Sequence, residues 1–227
     1  MSSESRLNRY ALVATSIPLA AIATNQSVTA DIVYEDTGGI TIGGFVSVPE
    51  YVNLAIGEYG SIGLNAGHNS AGAQFLFVAS VVATTSKSKG SDSPLRLINS
   101  GSSSKSKAPT LRRFGDGDLI GSPGYPGVVG VGVKGSDGKF ESGAFAGGGA
   151  GYLGFTIEVD ALGATEYRYG WIAVDWDAET FELTIDGFAY ETDAGVGIEA
   201  GAIPAPAALG LFGLAAGAAG IRRKRIN

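Results

Sequence analysis

The chain has 227 residues, 36 of them glycine, with no cysteine, a single histidine and a formal net charge of −6. Without cysteine, a disulfide framework, a zinc–thiolate or iron–sulfur centre and a thiol nucleophile are excluded. Glycine stands at about twice its usual ~7% without collagen's third-residue period, and 44% of residues are apolar, so one main turn-rich β domain is expected.

At the start, Arg6 and Arg9 precede an uncharged apolar stretch from Tyr10 to Ala23, followed by Asn25-Gln26-Ser27 and the small-residue site Val28-Thr29-Ala30. That order of charge, apolar core and cleavage site predicts a secretory signal peptide over residues 1–30, cut after Ala30. The core is short for a bilayer and Pro18 interrupts it, which favours a removed leader over a permanent anchor.

Residues 31–201 then form the predicted ectodomain. They hold 21 acidic and 10 basic side chains, a net charge of 10 − 21 = −11, so nucleic acid is not an expected partner. Strands are predicted at Ile40 to Val48, Tyr51 to Ile56, Ala73 to Ala83 and Val128 to Val133, the last two as buried central strands. His68, the only imidazole, has Ser70 nearby, but no GxSxG elbow accompanies it, and a loop histidine is the expected reading. The stretch 84–109 shifts to serine and lysine around Leu95-Arg96-Leu97-Ile98 and predicts an exposed, flexible excursion with one short strand. Its Lys87, Lys89, Arg96, Lys105 and Lys107, with Arg112 just beyond, suit an anionic polysaccharide or simply a solvated loop, and the loop is favoured. Asp116-Gly117-Asp118 offers oxygens to calcium but lacks the other ligands of a recognisable loop. Gly130 to Gly135 matches GxGxxG, yet Ser136-Asp137-Gly138 follows as a turn where a dinucleotide site needs a helix.

Three alternating runs close the ectodomain: Tyr152 to Val159, Glu166 to Asp175 and Thr180 to Asp186. In the third, Phe181, Leu183 and Ile185 share one face and Glu182, Thr184 and Asp186 the other. In the second, Tyr167, Tyr169, Trp171 and Ala173 share a side and Arg168, Gly170, Ile172 and Val174 the opposite one, so both sides can be partly covered, as in a sandwich. With no convincing amphipathic helix between Asp31 and Gly201, the expected fold is all-β: an antiparallel β-sandwich, jelly-roll-like, with a barrel as the alternative. Tyr167, Tyr169, Trp171 and Trp176 are candidates to stack on sugar faces if exposed, although aromatics more often serve the core. Asp175 and Asp177, two apart on a strand and so about 6–7 Å from one another, fall within the broad range of paired glycosidase carboxylates; turn chemistry is the simpler reading. No catalytic residue, metal or cofactor is expected.

This final third resembles a recurring module of PEP-CTERM-tagged exported proteins, through Gly151-Tyr152-Leu153-Gly154-Phe155, Tyr169-Gly170-Trp171 and Ala189-Tyr190-Glu191-Thr192, with Ala30-Asp31-Ile32-Val33-Tyr34 after the leader fitting the same group. After it, the chain from Gly201 to Ile221 runs without a charge and is followed at once by Arg222-Arg223-Lys224-Arg225. The part beyond Pro206 reaches about 22 Å as a helix, workable as a membrane span if the arginines snorkel. The basic cluster should stay cytoplasmic, and Gly213 to Gly217 is a weak GxxxG match. Pro204, Pro206, the Gly/Ala/Leu-rich segment and the basic end over residues 202–227 resemble the PEP-CTERM sorting signal, with Ala205 where the signal has glutamate. The resemblance implies processing by an exosortase-like membrane enzyme and delivery to the cell envelope, surface or extracellular matrix. Glycan binding is the alternative role.

Overall fold

The computed structural model describes residues 31–46, 48–68, 75–82, 93–101, 109–135, 142–161 and 164–204. The expected leader with its Ala30 site, the sorting segment from Ala205 through Pro206 to Arg222, Arg223, Lys224 and Arg225, and most of the Ser/Lys-rich stretch lie outside them. Among the described residues none is helical. The strands in chain order are β1 (Ile32–Gly43), β2 (Glu50–Ala55), β3 (Ser61–Ala66), β4 (Phe75–Val82), β5 (Leu95–Asn99), β6 (Arg113–Phe114), β7 (Leu119–Ile120), β8 (Tyr125–Gly127), β9 (Val129–Lys134), β10 (Gly149–Ala161), β11 (Ala164–Asp177), β12 (Glu182–Glu191) and β13 (Ile198–Glu199).

Two antiparallel sheets pack as a sandwich. The larger runs β1-β12-β11-β10-β5-β8, with β6 also on β10; the smaller runs β2-β3-β4-β9; β7 and β13 form a separate ribbon. Between the sheets lies an apolar core that draws Ile62, Leu64, Phe77 and Ala79 from the small sheet and Leu153, Phe155, Ile172, Val174, Trp176, Leu183 and Ile185 from the large one. Burial of such side chains stabilises by about 1.5–3 kcal/mol each. The alternation on β12 is as expected, with Leu183 and Ile185 buried and Glu182 and Asp186 exposed.

Strand β11 is covered on both sides because its two faces serve different cores. Ile172, Val174 and Trp176 enter the space between the sheets, while Tyr169 and Trp171 face outward under a second, smaller core built with Phe114, Ile120, Ala189, Ile198 and Ala200. The β7–β13 ribbon lies over that outer face. It pairs Ile198 with Ile120 and Glu199 with Leu119.

Several strands differ from expectation. β1 starts at Ile32 rather than near Ile40: Asp36-Thr37-Gly38-Gly39 reads as a turn, yet both glycines take positive φ (71° and 75°) and absorb a register shift between Asp36 and Ile40. The strand bulges there instead of ending. β3, not among the expected strands, alternates all the same: Ile62, Leu64 and Ala66 enter the core while Ser61, Gly63 and Asn65 take the other face. β4 is central in its sheet, whereas β9 pairs β4 on one side and is bonded on the other by the Pro109–Leu111 segment, with Leu111 N–H on the Val131 carbonyl at 2.9 Å and Val131 N–H on the Pro109 carbonyl at 2.8 Å.

Candidate functional site

The four aromatic candidates do not make a common platform. Trp176 is fully buried, Trp171 is 2% and Tyr169 6% exposed, and Tyr167 is half-buried. Even and odd positions on β11 point oppositely, so Trp176 stacks on Phe77 at 6.0 Å inside the sandwich while Trp171 lies beneath Tyr152 (5.3 Å) and Tyr34 (6.0 Å) on the outer side. Core packing has taken the rings that sugar stacking would need.

Asp175 and Asp177 are both exposed and border a depression of about 540 Å³ shared with Gly147–Gly149, Glu179, Glu182 and Thr184. Asp177 caps the turn into β12: its Oδ1 accepts from the Glu179 N–H at 2.7 Å and the Thr180 N–H at 3.0 Å. These backbone bonds, Thr180 first and Glu179 second, hold its carboxyl below the usual aspartate value. A glycosidase general acid needs the opposite shift, so Asp177 is suited to the turn and unsuited to that role.

Asp116 and Asp118 are likewise committed to local structure. Asp118 Oδ2 accepts from the Gly115 N–H at 2.8 Å, and Tyr152 donates its hydroxyl to Asp116 Oδ1 at 3.2 Å. Burial first, and then the Asp116 charge and hydrogen bond, push the Tyr152 phenol up. Among the described residues no group of three or more histidine, aspartate or glutamate side chains is placed to hold a metal ion.

His68 has aromatic neighbours rather than catalytic ones. Its ring sits 4.7 Å from Phe181 and 5.7 Å from Phe45, and its N–H bonds the Gly44 carbonyl at 2.9 Å. Ser70 lies outside the described residues. The GxGxxG stretch is strand β9, with no helix opening after it among the described residues, so the dinucleotide reading falls. Gly132 leaves room for the Phe77 ring, and Gly130 for Leu111 and Asn99.

At the domain's C-terminal exit, the Gly117 N–H bonds the Ala200 carbonyl at 2.9 Å, Ala200 N–H bonds the Asp118 carbonyl at 2.9 Å, and Ala202 N–H bonds the Glu199 carbonyl at 3.0 Å. Ile203 is 58% exposed and Pro204 is exposed. At the other end, Thr192 N–H bonds the Asp31 carbonyl at 3.1 Å. Ile32 and Ala202 both pack on the outer core, so the first and last described segments of the chain meet on one side of the large sheet.

One face escaped the sequence reading. On the outer side of the small sheet, Tyr51 pairs across to Asn65, Asn53 to Gly63 and Ala55 to Ser61; the next strand adds Val78, Ser80 and Val82 opposite Asn65, Gly63 and Ser61. Tyr51 is 49% exposed and lies across Gly63, where a Cβ would collide with its ring. The alternation Tyr51-x-Asn53 was the available signal, but it becomes legible only once β3 supplies the facing row. Scans against protein-family models, curated proteins and solved structures each find no match to the chain.

Proposed function

We propose that the chain is an exported cell-envelope or extracellular-matrix protein, sorted through its carboxy-terminal segment by an exosortase-like membrane enzyme, with no catalytic activity of its own. The observation that carries this reading is the order of segments at the two ends: a leader ending at Ala30, and Pro204-Ala205-Pro206 followed by an apolar stretch and Arg222-Arg223-Lys224-Arg225. The exit geometry supports it. Among the described residues the last backbone bond to the domain is that of Ala202, which leaves Ile203 and Pro204 exposed where a processing enzyme would have to grip an extended chain.

In this mechanism the apolar stretch halts transfer and lodges in the membrane, and the basic cluster fixes its orientation with the ectodomain outside. The jelly-roll-like description belongs to the same reading. It is supported by the long first and last major strands lying side by side and by the chain's repeated crossing between sheets.

Mass spectrometry of both termini of the protein recovered from its native host tests the reading. A chain beginning at Asp31 in an envelope or extracellular fraction, with a carboxy-terminal end created near Pro206, is expected. An intact product beginning at Met1 and dissolved in the cytosol would overturn it. A cell-surface glycan-binding role is a second reading, favoured now by Tyr51 rather than by the aromatic residues of β11.

A further inference from the structure

We infer that the outer face of the small sheet, centred on Tyr51, Asn53 and Asn65, is a binding face for neutral polysaccharide. It deepens the glycan-binding reading and is independent of how the chain is sorted. Three rows of side chains make this face: Tyr51–Asn65–Val78, Asn53–Gly63–Ser80 and Ala55–Ser61–Val82. Strand spacing of about 4.8 Å and a side-chain repeat of about 6.8 Å give it an extent of roughly 10 by 14 Å, room for about two pyranose rings.

The chemistry is that of a sugar surface. A pyranose offers an apolar C–H face and a rim of hydroxyls that both donate and accept. Here a half-exposed phenol ring is flanked by two carboxamides and two serine hydroxyls, which together supply donors and acceptors without charge. Gly63 makes the ring lie against the sheet, because any side chain there would strike it. The Tyr51 hydroxyl donates to Asn53 Oδ1 at 2.5 Å, which orients that amide and leaves its NH2 to donate to a ligand.

Charge decides between occupants. None of the nine residues in the three rows is ionisable as an acid or base near neutral pH, although residues 31–201 carry −11 overall. Glu50, the neighbouring carboxylate on β2, turns to the other side and accepts from the Gly43 N–H at 3.1 Å. A cation would gain nothing on this face. Among the nine residues of the face an anionic polymer would find no basic side chain to offset the repulsion of the net-negative domain. The apolar content of the three rows is Val78, Val82, Ala55 and one ring, joined at the edge by Val129 beside Ser80, which is small for a protein interface core.

The test is affinity electrophoresis of the full-length protein in a polyoxyethylene detergent, which carries no sugar, through native gels containing hydroxyethyl cellulose, galactomannan or alginate. Retardation by a neutral polymer and not by alginate is expected. Tyr51→Ala and Asn65→Ala should each weaken it about tenfold, and Tyr125→Ala, an exposed tyrosine elsewhere, should leave it unchanged. Because Tyr51 also covers Gly63, Tyr51→Ala is accepted only if its thermal unfolding matches the parent; otherwise the Asn53→Ala, Asn65→Ala double variant decides. No retardation by either neutral polymer, equal retardation of the folded variants, or retardation by alginate would each overturn the inference. None of these results would alter the termini read by mass spectrometry.

Discussion

Ile198→Ala measures what the terminal ribbon contributes to the fold. Ile198 is 2% exposed, faces Ile120 across the ribbon and packs in the outer core with Trp171. Truncating a buried isoleucine to alanine costs about 2–5 kcal/mol, less where the surroundings can collapse into the space. This core is one ribbon thick and close to solvent, so a loss of about 2–3 kcal/mol is expected, or a fall of roughly 5–10 °C in Tm at this chain length. The assay exploits the two tryptophans: in a Trp176→Phe background, Trp171 is the only indole left, and it sits in the core being disturbed. Its emission should shift to the red in the Ile198→Ala variant, with a lower urea midpoint than the Trp176→Phe parent. A chain stopped after Pro204 should keep the full-length midpoint, because among the described residues the bonds that seat β13 are complete by residue 202. A loss below about 0.5 kcal/mol, the range of ordinary surface substitutions, would refute the seating of the ribbon.

Gly170→Ala should lose about 1–3 kcal/mol in urea unfolding, since a Cβ there meets the Phe155 ring and stands 2.7 Å from the Ala189 carbonyl oxygen. Gly38→Ala has open space and should cost only the positive-φ penalty, about 1–2 kcal/mol. Spectroscopic titration should find Tyr152, Tyr169 and Tyr190 ionising late, because burial raises each phenol. With folded values above unfolded ones, the stability they contribute is complete below the ordinary tyrosine value and is lost as pH rises through the folded values; a single unperturbed transition would contradict this. Asp177 has the opposite sign: its folded value is depressed, so its contribution is present above the ordinary aspartate value and fades as pH falls through the folded one. Asp177→Asn should flatten the acid limb of the stability curve, and an unchanged limb would show that the turn bonds are not made in solution.

The sandwich itself was legible where alternation is strict, as in Phe181-Glu182-Leu183-Thr184-Ile185-Asp186, because a residue period of two on a half-wet strand has one solution. It was illegible where glycine interrupts the pattern. Gly38-Gly39 looks the same in sequence whether a chain reverses or bulges, and the difference lies in β12, about 145 residues away in the chain, which offers partners on both sides of the bulge. The expectation that the aromatics of β11 mostly serve the core is met, and the alternative of a shared sugar platform fails for a related reason. Trp171 and Trp176 differ by five positions, an odd number, which alone puts them on opposite faces of a strand; grouping them as one aromatic surface ignored that parity. Tyr51 was invisible as part of a face because its row partners Asn65 and Val78 come from two other strands.

The same physics gives the glycine excess a second meaning. Several glycines have no turn to make: Gly63, Gly130, Gly132, Gly151, Gly154 and Gly170 lie inside strands, and none is among the glycines with positive φ. Each instead vacates the volume of a side chain that a larger neighbour fills, with Tyr51 over Gly63, Phe77 at Gly132, Arg113 at Gly151, Phe114 at Gly154 and Phe155 at Gly170. A strand glycine forfeits packing and conformational entropy, so it is tolerated where the ring it admits buries more apolar area than a small side chain would. Gly-Tyr-Leu-Gly-Phe and Tyr-Gly-Trp are then explained by packing: the rings of one strand need the gaps of the next, and the register of β10 on β11, which sets Gly154 opposite Trp171 and Phe155 opposite Gly170, alternates them. Substituting a glycine that meets only side-chain ends should be rescued by shrinking its ring, as Gly154→Ala with Phe114→Leu, whereas a glycine kept for its φ, or one such as Gly170 that also faces a backbone carbonyl, admits no full rescue.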